Sequence, residues 1–275
     1  MSPARRADAA AVRLPPDLVG PVDLELARPV ETIPGEKALP GGSRYEPKWD
    51  GFRAACVRSG DAARIWSRQR KDLTAQFPDI AAAAARMLPD GVVLDGELVI
   101  LGPDGRLSFD ALQRRLVTAP AKARQLVAAV PASYAAFDLL AIGGVDLRTQ
   151  RWSVRRTRLE QLAAANWAPP LQLSPVTADL TEAREWFEVL PEAMGVEGLV
   201  VKGASSRYAG GRREWVKVNS VGVSGVRFGD LRTVRPGRET VRGALLVDDS
   251  CRARRAQVSI GLAAMGQRSS QRVSA

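Results

Sequence analysis

Lys48 is the residue whose type and surroundings in this sequence most clearly predict chemistry. The chain has only six lysines among its 40 basic residues, so arginine supplies nearly all of its positive charge. Arginine stays protonated in proteins and cannot act as a nucleophile, whereas a lysine can lose its proton and attack. Carboxylates lie two residues before Lys48 and two residues after it, in Glu46 and Asp50. Lys48 is therefore a candidate nucleophile.

A nucleophilic lysine needs help from its neighbours. An ordinary lysine has a pKa of about 10.4 and is protonated at neutral pH. Nearby cations, a metal ion or burial would lower that pKa and free the nitrogen lone pair. If the target is a phosphorus atom, further cations must hold the phosphates and a metal must offset the developing charge. Arg53 is close in sequence, and Lys202 and Lys217 interrupt predicted apolar strands.

Carboxylates also interrupt the predicted strands. Glu97 lies in the apolar run at 91–101, and Asp138 lies inside another apolar strand further along the chain. Glu197 directly precedes a third strand. An acidic residue in an apolar strand contradicts the local pattern, and such contradictions tend to mark functional sites. Glu97 and Glu197 are suited to orient Mg²⁺ through water or to bind a ribose hydroxyl.

Each of these residues also has a purely structural interpretation. Lys48 and Asp50 could form an ion pair on a hairpin, and Glu97 could be a strand-end carboxylate that faces water. Lys202 and Lys217 could be edge-strand lysines, which discourage aggregation. The functional interpretation is favoured by the set as a whole, because its lysines and carboxylates together fit one reaction.

Composition restricts the classes of function. The net charge of +10 favours a polyanionic partner such as nucleic acid, although a general preference for arginine would give the same charge. The absence of histidine excludes Ser-His-Asp, Cys-His and histidine–metal chemistries. Cys56 and Cys251 lack metal-ligand spacing. The sequence shows no signal peptide and no apolar run approaching the ~20 residues of a membrane span, so a cytoplasmic protein without a membrane partner is expected.

The elements that must position the candidate residues follow from hydrophobic periodicity and turn signals. Strands are predicted at 44–46, 52–58, 63–67, 91–101, 134–140, 171–176, 198–202 and 214–218. Helices are predicted at 77–88, 108–116, 121–130, 153–166 and 179–193. Ser153 and Asp179 are expected to cap the last two helices. Because strands and helices mix without a regular βαβ alternation, the predicted fold class is α+β, built mainly on antiparallel sheets.

The sequence divides into three segments of different character. A flexible extension is expected at 1–20, a main domain at 21–220 and a basic tail at 221–275. Residues 222–275 hold ten arginines and no lysine, with possible strands at 226–233 and 242–247. This tail is expected to be too short and too irregular to form a complete second domain.

Six motifs, in the same order along the chain, resemble those of the ATP-dependent DNA ligases. Their positions are 46–53 (Lys-x-Asp-Gly-x-Arg), 67–68 (the ribose-side motif), 94–99 (Asp-Gly-Glu-Leu), 134–140 (the segment whose aromatic residue stacks on adenine), 197–202 (Glu-Gly-x-Val-x-Lys) and 215–218 (the start of Trp-x-Lys-x-Lys). The resemblance extends over residues 21–219 and is greatest to the small bacterial ligases of the end-joining type. Six ordered motifs are far more specific than any one of them.

This resemblance implies a role for each candidate residue. Lys48 would attack the α-phosphate of ATP, release pyrophosphate and become an AMP–lysine; AMP would then pass to the 5′-phosphate of nicked double-stranded DNA, which the 3′-hydroxyl seals. The implied contacts are adenine for Glu46, ribose or the 5′-phosphate for Arg53 and Arg68, ribose or metal for Glu97, adenine stacking for Phe137, metal for Glu197, the α-phosphate for Lys202 and Lys217, and a phosphate for Arg212. The implied cofactors are ATP and Mg²⁺ or Mn²⁺, and the enzyme is expected to act as a monomer.

The resemblance also implies a fold, from which the sequence departs in two places. The family has an ATP-grasp-like nucleotidyltransferase domain, with antiparallel sheets flanked by helices, followed by an OB-fold domain. Here Asn219 replaces the second lysine of the last motif, and only 56 residues follow it. The tail is therefore expected to be a truncated, OB-like segment. We expect the core to bind ATP and complete ligation to be weakened or lost.

Two other functions remain open on the sequence alone. RNA ligases and capping guanylyltransferases share the Lys-x-Asp-Gly chemistry. A non-catalytic remnant that holds nucleic acid by charge would also have a basic tail, and its binding would weaken steeply with salt.

Overall fold

Two β-sheets and five α-helices make up the part of the chain that the computed structural model describes, residues 12–220. The strands are β1 (Ala27–Pro29), β2 (Ser43–Pro47), β3 (Phe52–Ser59), β4 (Ala62–Ser67), β5 (Val92–Ile100), β6 (Ala132–Ile142), β7 (Val145–Asp146), β8 (Leu171–Leu173), β9 (Gly198–Gly203) and β10 (Trp215–Asn219). The helices are α1 (Pro78–Met87), α2 (Phe109–Val117), α3 (Pro120–Ala129), α4 (Trp152–Asn166) and α5 (Leu180–Met194). The predicted α+β class is confirmed.

The two sheets are joined at the loop that contains Lys48. The smaller sheet has the strand order β1-β10-β9-β2, and the larger has the order β4-β3-β5-β6-β7, with β8 beside β6. Neighbouring strands are antiparallel except for β1 with β10 and β6 with β8. Because β2 and β3 belong to different sheets, the intervening residues 48–51 cross from one sheet to the other.

Alternation along the strands gives each sheet two apolar faces. In β3, Ala54 and Cys56 pack with Phe77, which precedes α1, and with Ile80 of α1, whereas Ala55 on the opposite face packs with residues of the smaller sheet. The outer face of the smaller sheet packs against α5. The molecule is therefore layered, and the space between the two sheets is lined by both of them. Side chains that point into this space come together from distant parts of the sequence.

The N-terminal part of the described chain differs from its prediction. Residues 12–20 were expected to belong to a loose extension, but Pro16–Leu18 forms a short 3₁₀ helix. Leu14 and Leu18 are buried in the core between the sheets, which explains why this segment is ordered. Residues 1–11 lie outside the described part of the chain. So does the tail at 221–275, with its expected OB-like segment and strands.

The two predicted helix caps have different outcomes. Asp179 caps α5, because its Oδ1 accepts hydrogen bonds from the backbone N–H groups of the first turn at 2.6 and 3.2 Å. Ser153 does not cap α4, which already begins at Trp152. The N–H groups of Trp152 and Ser153 donate instead to the carbonyls of Ser206 and Ala204, at 2.7 and 3.0 Å. Tertiary contacts with a loop replace the side-chain cap.

None of the described helices has both the length and the apolar character that a bilayer span requires.

Glu25, which lies just before β1, is a fully buried carboxyl group. Its Oε2 accepts a hydrogen bond from the N–H of Ala209 at 2.9 Å, and burial raises its pKa to about 8. An unfolded chain releases this proton near pH 4.5, whereas the folded chain holds it up to about pH 8. The free energy of unfolding should therefore fall as the pH rises between these values, by at most about 1.4 kcal/mol per pH unit.

We expect Glu25→Gln to remove this pH dependence, because the amide keeps the shape of the protonated carboxyl and does not titrate. The measurement is urea unfolding of both proteins at intervals from pH 5 to pH 8.5. The stability of the variant relative to the wild type should rise steadily across this window. The matched control is Glu31→Gln at an exposed position, and equal pH profiles for the wild type and Glu25→Gln would contradict the prediction.

Candidate active site

Lys48 and Glu197 are brought together where the chain leaves β2. The Lys48 N–H donates to the Gly198 carbonyl at 2.8 Å, and the Glu197 N–H donates to the Lys48 carbonyl at 2.8 Å. The two backbone segments therefore lie side by side although they are 149 positions apart in sequence. The Lys48 ammonium forms an ion pair with the Glu197 carboxylate, and only about 15% of either side chain is exposed. Two residues of separate motifs thus share one site.

Gly51 lets the Lys48 loop lie directly on β5. A Cβ atom at residue 51 would be 2.3 Å from the Leu98 carbonyl oxygen and 2.9 Å from Cγ of Glu97. The first of these neighbours is backbone and cannot move aside. The glycine of the Lys-x-Asp-Gly pattern is thus required for this close approach of the loop to β5.

Glu97 is a partly buried carboxyl group beside Lys48. Burial raises its pKa to about 8, while the positive charges of Arg53, Lys48 and Arg68 oppose that rise. Three of the predicted site residues, Arg53, Lys48 and Arg68, therefore lie close enough to Glu97 for their charges to act on it. At neutral pH its neutral form is favoured, and a cation that binds here would favour ionisation. The alternative that Glu97 is a strand-end carboxylate facing water is wrong, because Glu97 lies inside β5 and is partly buried.

The space between the sheets holds a buried aromatic pair with a lysine against it. Phe137 of β6 and Trp215 of β10 have ring centroids 6.0 Å apart at an interplanar angle of 80°. The Nζ of Lys202 lies 4.4 Å from the Phe137 centroid and 4.0 Å from that of Trp215, within cation–π distance. It also lies 2.7 Å from Oε2 of Glu46. These side chains form one cluster, which we call the inter-sheet pocket: Glu46, Phe137, Lys202 and Trp215.

Burial makes the charges of the inter-sheet pocket unusual. Lys202 is fully buried and Glu46 is 2% exposed. Burial raises the pKa of Glu46, and the charge of Lys202 opposes this rise. The alternative that Lys202 and Lys217 are edge-strand lysines is wrong, because β9 and β10 are both interior strands of the smaller sheet. Lys217 is partly buried.

Arg53 extends from β3 towards the same pocket. Its Nε and Nη2 donate to Oδ1 and Oδ2 of Asp95 at 3.0 and 2.6 Å, a bidentate pair with the neighbouring strand. Its guanidinium carbon lies 4.7 Å from the ring centroid of Trp215 and 5.4 Å from that of Phe137. Arg53 is thus held in a defined orientation, with 14% of its side chain exposed.

The two remaining predicted arginines occupy different places. Arg68 is exposed after β4, and its N–H donates to the Arg53 carbonyl at 3.0 Å. Its charge reaches Glu97, so it lies at the edge of the site. Arg212 is also exposed, and its backbone carbonyl accepts a hydrogen bond from Leu26. The contacts described for the Lys48 group do not include the Arg212 side chain.

Sequence reasoning missed several residues that shape the site. Asp138 was noticed as an acidic residue in an apolar strand and Asp95 is part of the Asp-Gly-Glu-Leu motif, but neither received a role. Their partners are Arg53 and Arg155, and each pair is bidentate. Tyr208 had no recognisable signal in the sequence, because its partner Asp95 is 113 positions away.

The carboxylates fit a metal that arrives together with a substrate. Within residues 12–220, no group of three or more acidic, histidine or cysteine side chains could hold a metal ion by itself. Glu97 and Glu197 supply hard oxygen atoms beside Lys48. Mg²⁺ in phosphate-transfer sites is bound by one or two carboxylates, with water and phosphate oxygens completing its shell. The donor set therefore fits Mg²⁺ carried by phosphates.

Comparisons with known proteins found several that are similar to this chain. A protein-family model described as "ATP dependent DNA ligase domain" matches residues 25–219. DNA ligase C2 of Mycolicibacterium smegmatis is 37% identical over 227 residues, which are 82% of this chain and 63% of that protein. DNA ligase C of Mycobacterium tuberculosis is 34% identical, over 82% of this chain and 62% of that protein. The chain thus spans a little under two thirds of the length of these curated relatives.

A solved structure is also similar. It is the mycobacterial DNA ligase D complexed with ATP and MES, with a TM-score of 0.53 and 32% identity. The similarity covers 70% of this chain and 60% of that one.

Proposed function

Because this chain belongs to the ATP-dependent DNA ligase domain family, we propose that it is the catalytic core of such a ligase and that Lys48 becomes adenylylated. The observation that carries the proposal is the position of Lys48. Its ammonium is paired with Glu197 beside Glu97, and its loop joins the two sheets that enclose the inter-sheet pocket. A nucleophile, phosphate-binding cations and metal-binding carboxylates thus come from one set of neighbouring strands.

Buried polar atoms in the pocket support a polar ligand. Oε1 of Glu46 and Nε1 of Trp215 are buried, and neither has a hydrogen-bond partner within the described part of the chain. Buried polar groups without partners are rare in folded proteins, and each calls for a ligand, a water molecule or strain. The adenine base, with donors and acceptors on its edge and two π faces, would supply partners for such atoms. Phe137 is the proposed stacking residue.

The reaction proposed for Lys48 is an in-line displacement at the α-phosphorus of ATP. The Nζ lone pair forms the N–P bond, the bond to the bridging oxygen breaks, and pyrophosphate leaves with that electron pair. Lys48 must lose its protons, and Glu197 is the carboxylate placed to accept a hydrogen bond from the ammonium. Catalysis of this kind is chiefly positioning and charge stabilisation.

The other residues hold the reacting groups. Lys202 and Lys217 are the proposed α-phosphate contacts, and Arg53 and Arg68 are the proposed contacts to ribose or to the 5′-phosphate of the nick. When bound, Mg²⁺ would supply charge neutralisation at the phosphates, with Glu97 and Glu197 as its protein ligands. Arg212 remains a candidate phosphate contact from an exposed loop.

Covalent labelling tests this proposal directly. The full chain is incubated with Mg²⁺ and either α-labelled ATP or α-labelled GTP, and then separated by denaturing electrophoresis. We expect label from ATP to stay on the protein and label from GTP not to. Exclusive labelling by GTP would sink the ligase proposal in favour of a capping-type enzyme. If no label is retained while DNA binding weakens steeply with salt, the chain is a non-catalytic remnant.

A nick-sealing assay then defines the substrate. Duplexes with a single nick, carrying DNA or RNA on either side of it, are incubated with the enzyme, ATP and Mg²⁺. We propose that nicked DNA is the substrate. Sealing confined to RNA strands would contradict the DNA assignment and leave the lysine chemistry intact.

A further inference from the structure

The hydroxyl group of Tyr208 lies in a buried chain of hydrogen bonds that ends at Arg53. It donates to Oδ2 of Asp95 at 2.7 Å and accepts from the backbone N–H of Glu25 at 3.0 Å. Tyr208 is 5% exposed, and Asp95 is fully buried. Water therefore has little access to replace these bonds. The direction of the Tyr208 hydroxyl is set by both of its partners.

Asp95 transmits this constraint to Arg53. Both of its carboxylate oxygens accept from the guanidinium, and Oδ2 accepts from Tyr208 as well. A bidentate pair fixes the guanidinium relative to the carboxylate plane. The third donor fixes the rotation of that plane. Without the hydroxyl, Asp95 and Arg53 would still attract each other, but the rotation of the Asp95 carboxylate plane would be less constrained.

Tyr208 is itself well anchored. Its ring lies edge-on to Trp215, with centroids 5.8 Å apart at 80°, and the Arg155 guanidinium lies 5.6 Å from its centroid. Its backbone N–H donates to the Arg148 carbonyl at 2.9 Å. Burial, with the charge of Asp95, holds the pKa of the hydroxyl well above 10, so the group remains a donor at any working pH.

We propose that Tyr208 is a positioning residue for nucleotide binding, which acts on Arg53 through Asp95. This inference rests on the proposed function, because it assumes that Arg53 contacts the nucleotide. Arg53 adjoins both rings of the inter-sheet pocket. A guanidinium held in place before the ligand arrives loses less freedom on binding, which favours affinity. Tyr208 touches neither the ligand nor the reacting atoms in this role.

The variant that tests the proposal is Tyr208→Phe, which keeps the ring and removes only the hydroxyl. Binding is measured by calorimetry with an ATP analogue whose α- and β-phosphates are joined by a methylene group, so that no reaction follows. We expect Kd to rise about three- to tenfold, which corresponds to the net contribution of one typical hydrogen bond. The maximal rate of Lys48 labelling at saturating ATP should change by less than about twofold, since no transition-state contact is lost.

Tyr134→Phe is the matched control. The Tyr134 hydroxyl is also buried and donates to carbonyls of the same two strands, those of Ala54 at 2.8 Å and Leu94 at 3.3 Å. Tyr134 packs in the core cluster beside α1, on the other face of the larger sheet. Tyr134→Phe therefore measures how far the removal of a buried hydroxyl elsewhere in the core changes the Kd for the analogue. We expect the Kd of this variant for the analogue to equal that of the wild type.

A double-mutant cycle separates positioning from a general structural role. In an Arg53→Met background, Tyr208→Phe should change Kd by less than about twofold, because the residue through which it acts is gone. An equal change of Kd in both backgrounds, or an equal change in Tyr134→Phe, would overturn the inference. If the wild type binds the analogue but is never labelled by ATP, the proposed function fails while the role of Tyr208 in binding stands. If the wild type does not bind the analogue, both fail.

Discussion

Lys48→Arg is expected to abolish covalent labelling by ATP, with a loss of at least about a thousandfold in rate. Arginine keeps the positive charge and can still pair with Glu197, but its guanidinium does not lose a proton and cannot attack phosphorus. The N–P bond therefore cannot form. The measurement is single-turnover labelling with α-labelled ATP and Mg²⁺, followed by denaturing electrophoresis. Nick sealing that starts from ATP should be lost in parallel.

Two controls make this result specific to Lys48. Lys71→Arg makes the same change at an exposed lysine outside the motifs and should label like the wild type. Binding of the methylene-bridged ATP analogue to Lys48→Arg should stay within about threefold of the wild type, because charge and approximate size are kept. If Lys48→Arg were labelled at the wild-type rate, another residue would be the nucleophile. Loss of labelling together with loss of analogue binding would instead indicate a damaged pocket.

Asp138→Ala is expected to lower the free energy of unfolding by about 3–5 kcal/mol, because it leaves a buried charge without its partner. The Arg155 Nε and Nη2 atoms donate to Asp138 at 2.7 and 2.9 Å, and neither side chain is more than 1% exposed. Burial disfavours the charged carboxyl, but Arg155 holds the pKa of Asp138 below its usual value. This pair ties α4 to β6, next to the proposed stacking residue Phe137.

The comparison is with Asp146→Ala, which removes the carboxylate of a more exposed bidentate pair with Arg148. There Arg148 is 23% exposed and Asp146 is 32% exposed, and the expected loss is about 0–1 kcal/mol. Urea unfolding of the two variants measures the difference. The double variant Asp138→Ala, Arg155→Leu should be more stable than Asp138→Ala alone, because the unpaired charge is removed. Equal losses for Asp138→Ala and Asp146→Ala would contradict this explanation.

The local sequence determined the elements and the candidate nucleophile. Periodicity and turn residues predicted the helices and strands, since these signals act over a few neighbouring positions. Lys48 and Gly51 were recognisable because their motif is continuous in sequence. Glu97 was recognisable because a carboxylate in an apolar strand breaks the pattern around it.

Only the tertiary structure decided which side chains meet. The Lys48–Glu197 pair joins residues 149 positions apart, and the Tyr208–Asp95 bond joins residues 113 positions apart. Neither spacing is encoded in a local pattern, because strand order and layer packing set these distances. The structure also decided that Lys202 is buried against two aromatic rings. The local strand sequence alone does not distinguish it from a solvent-exposed lysine. Lys48 was thus identifiable from the sequence, whereas its surroundings depend on two sheets packing face to face.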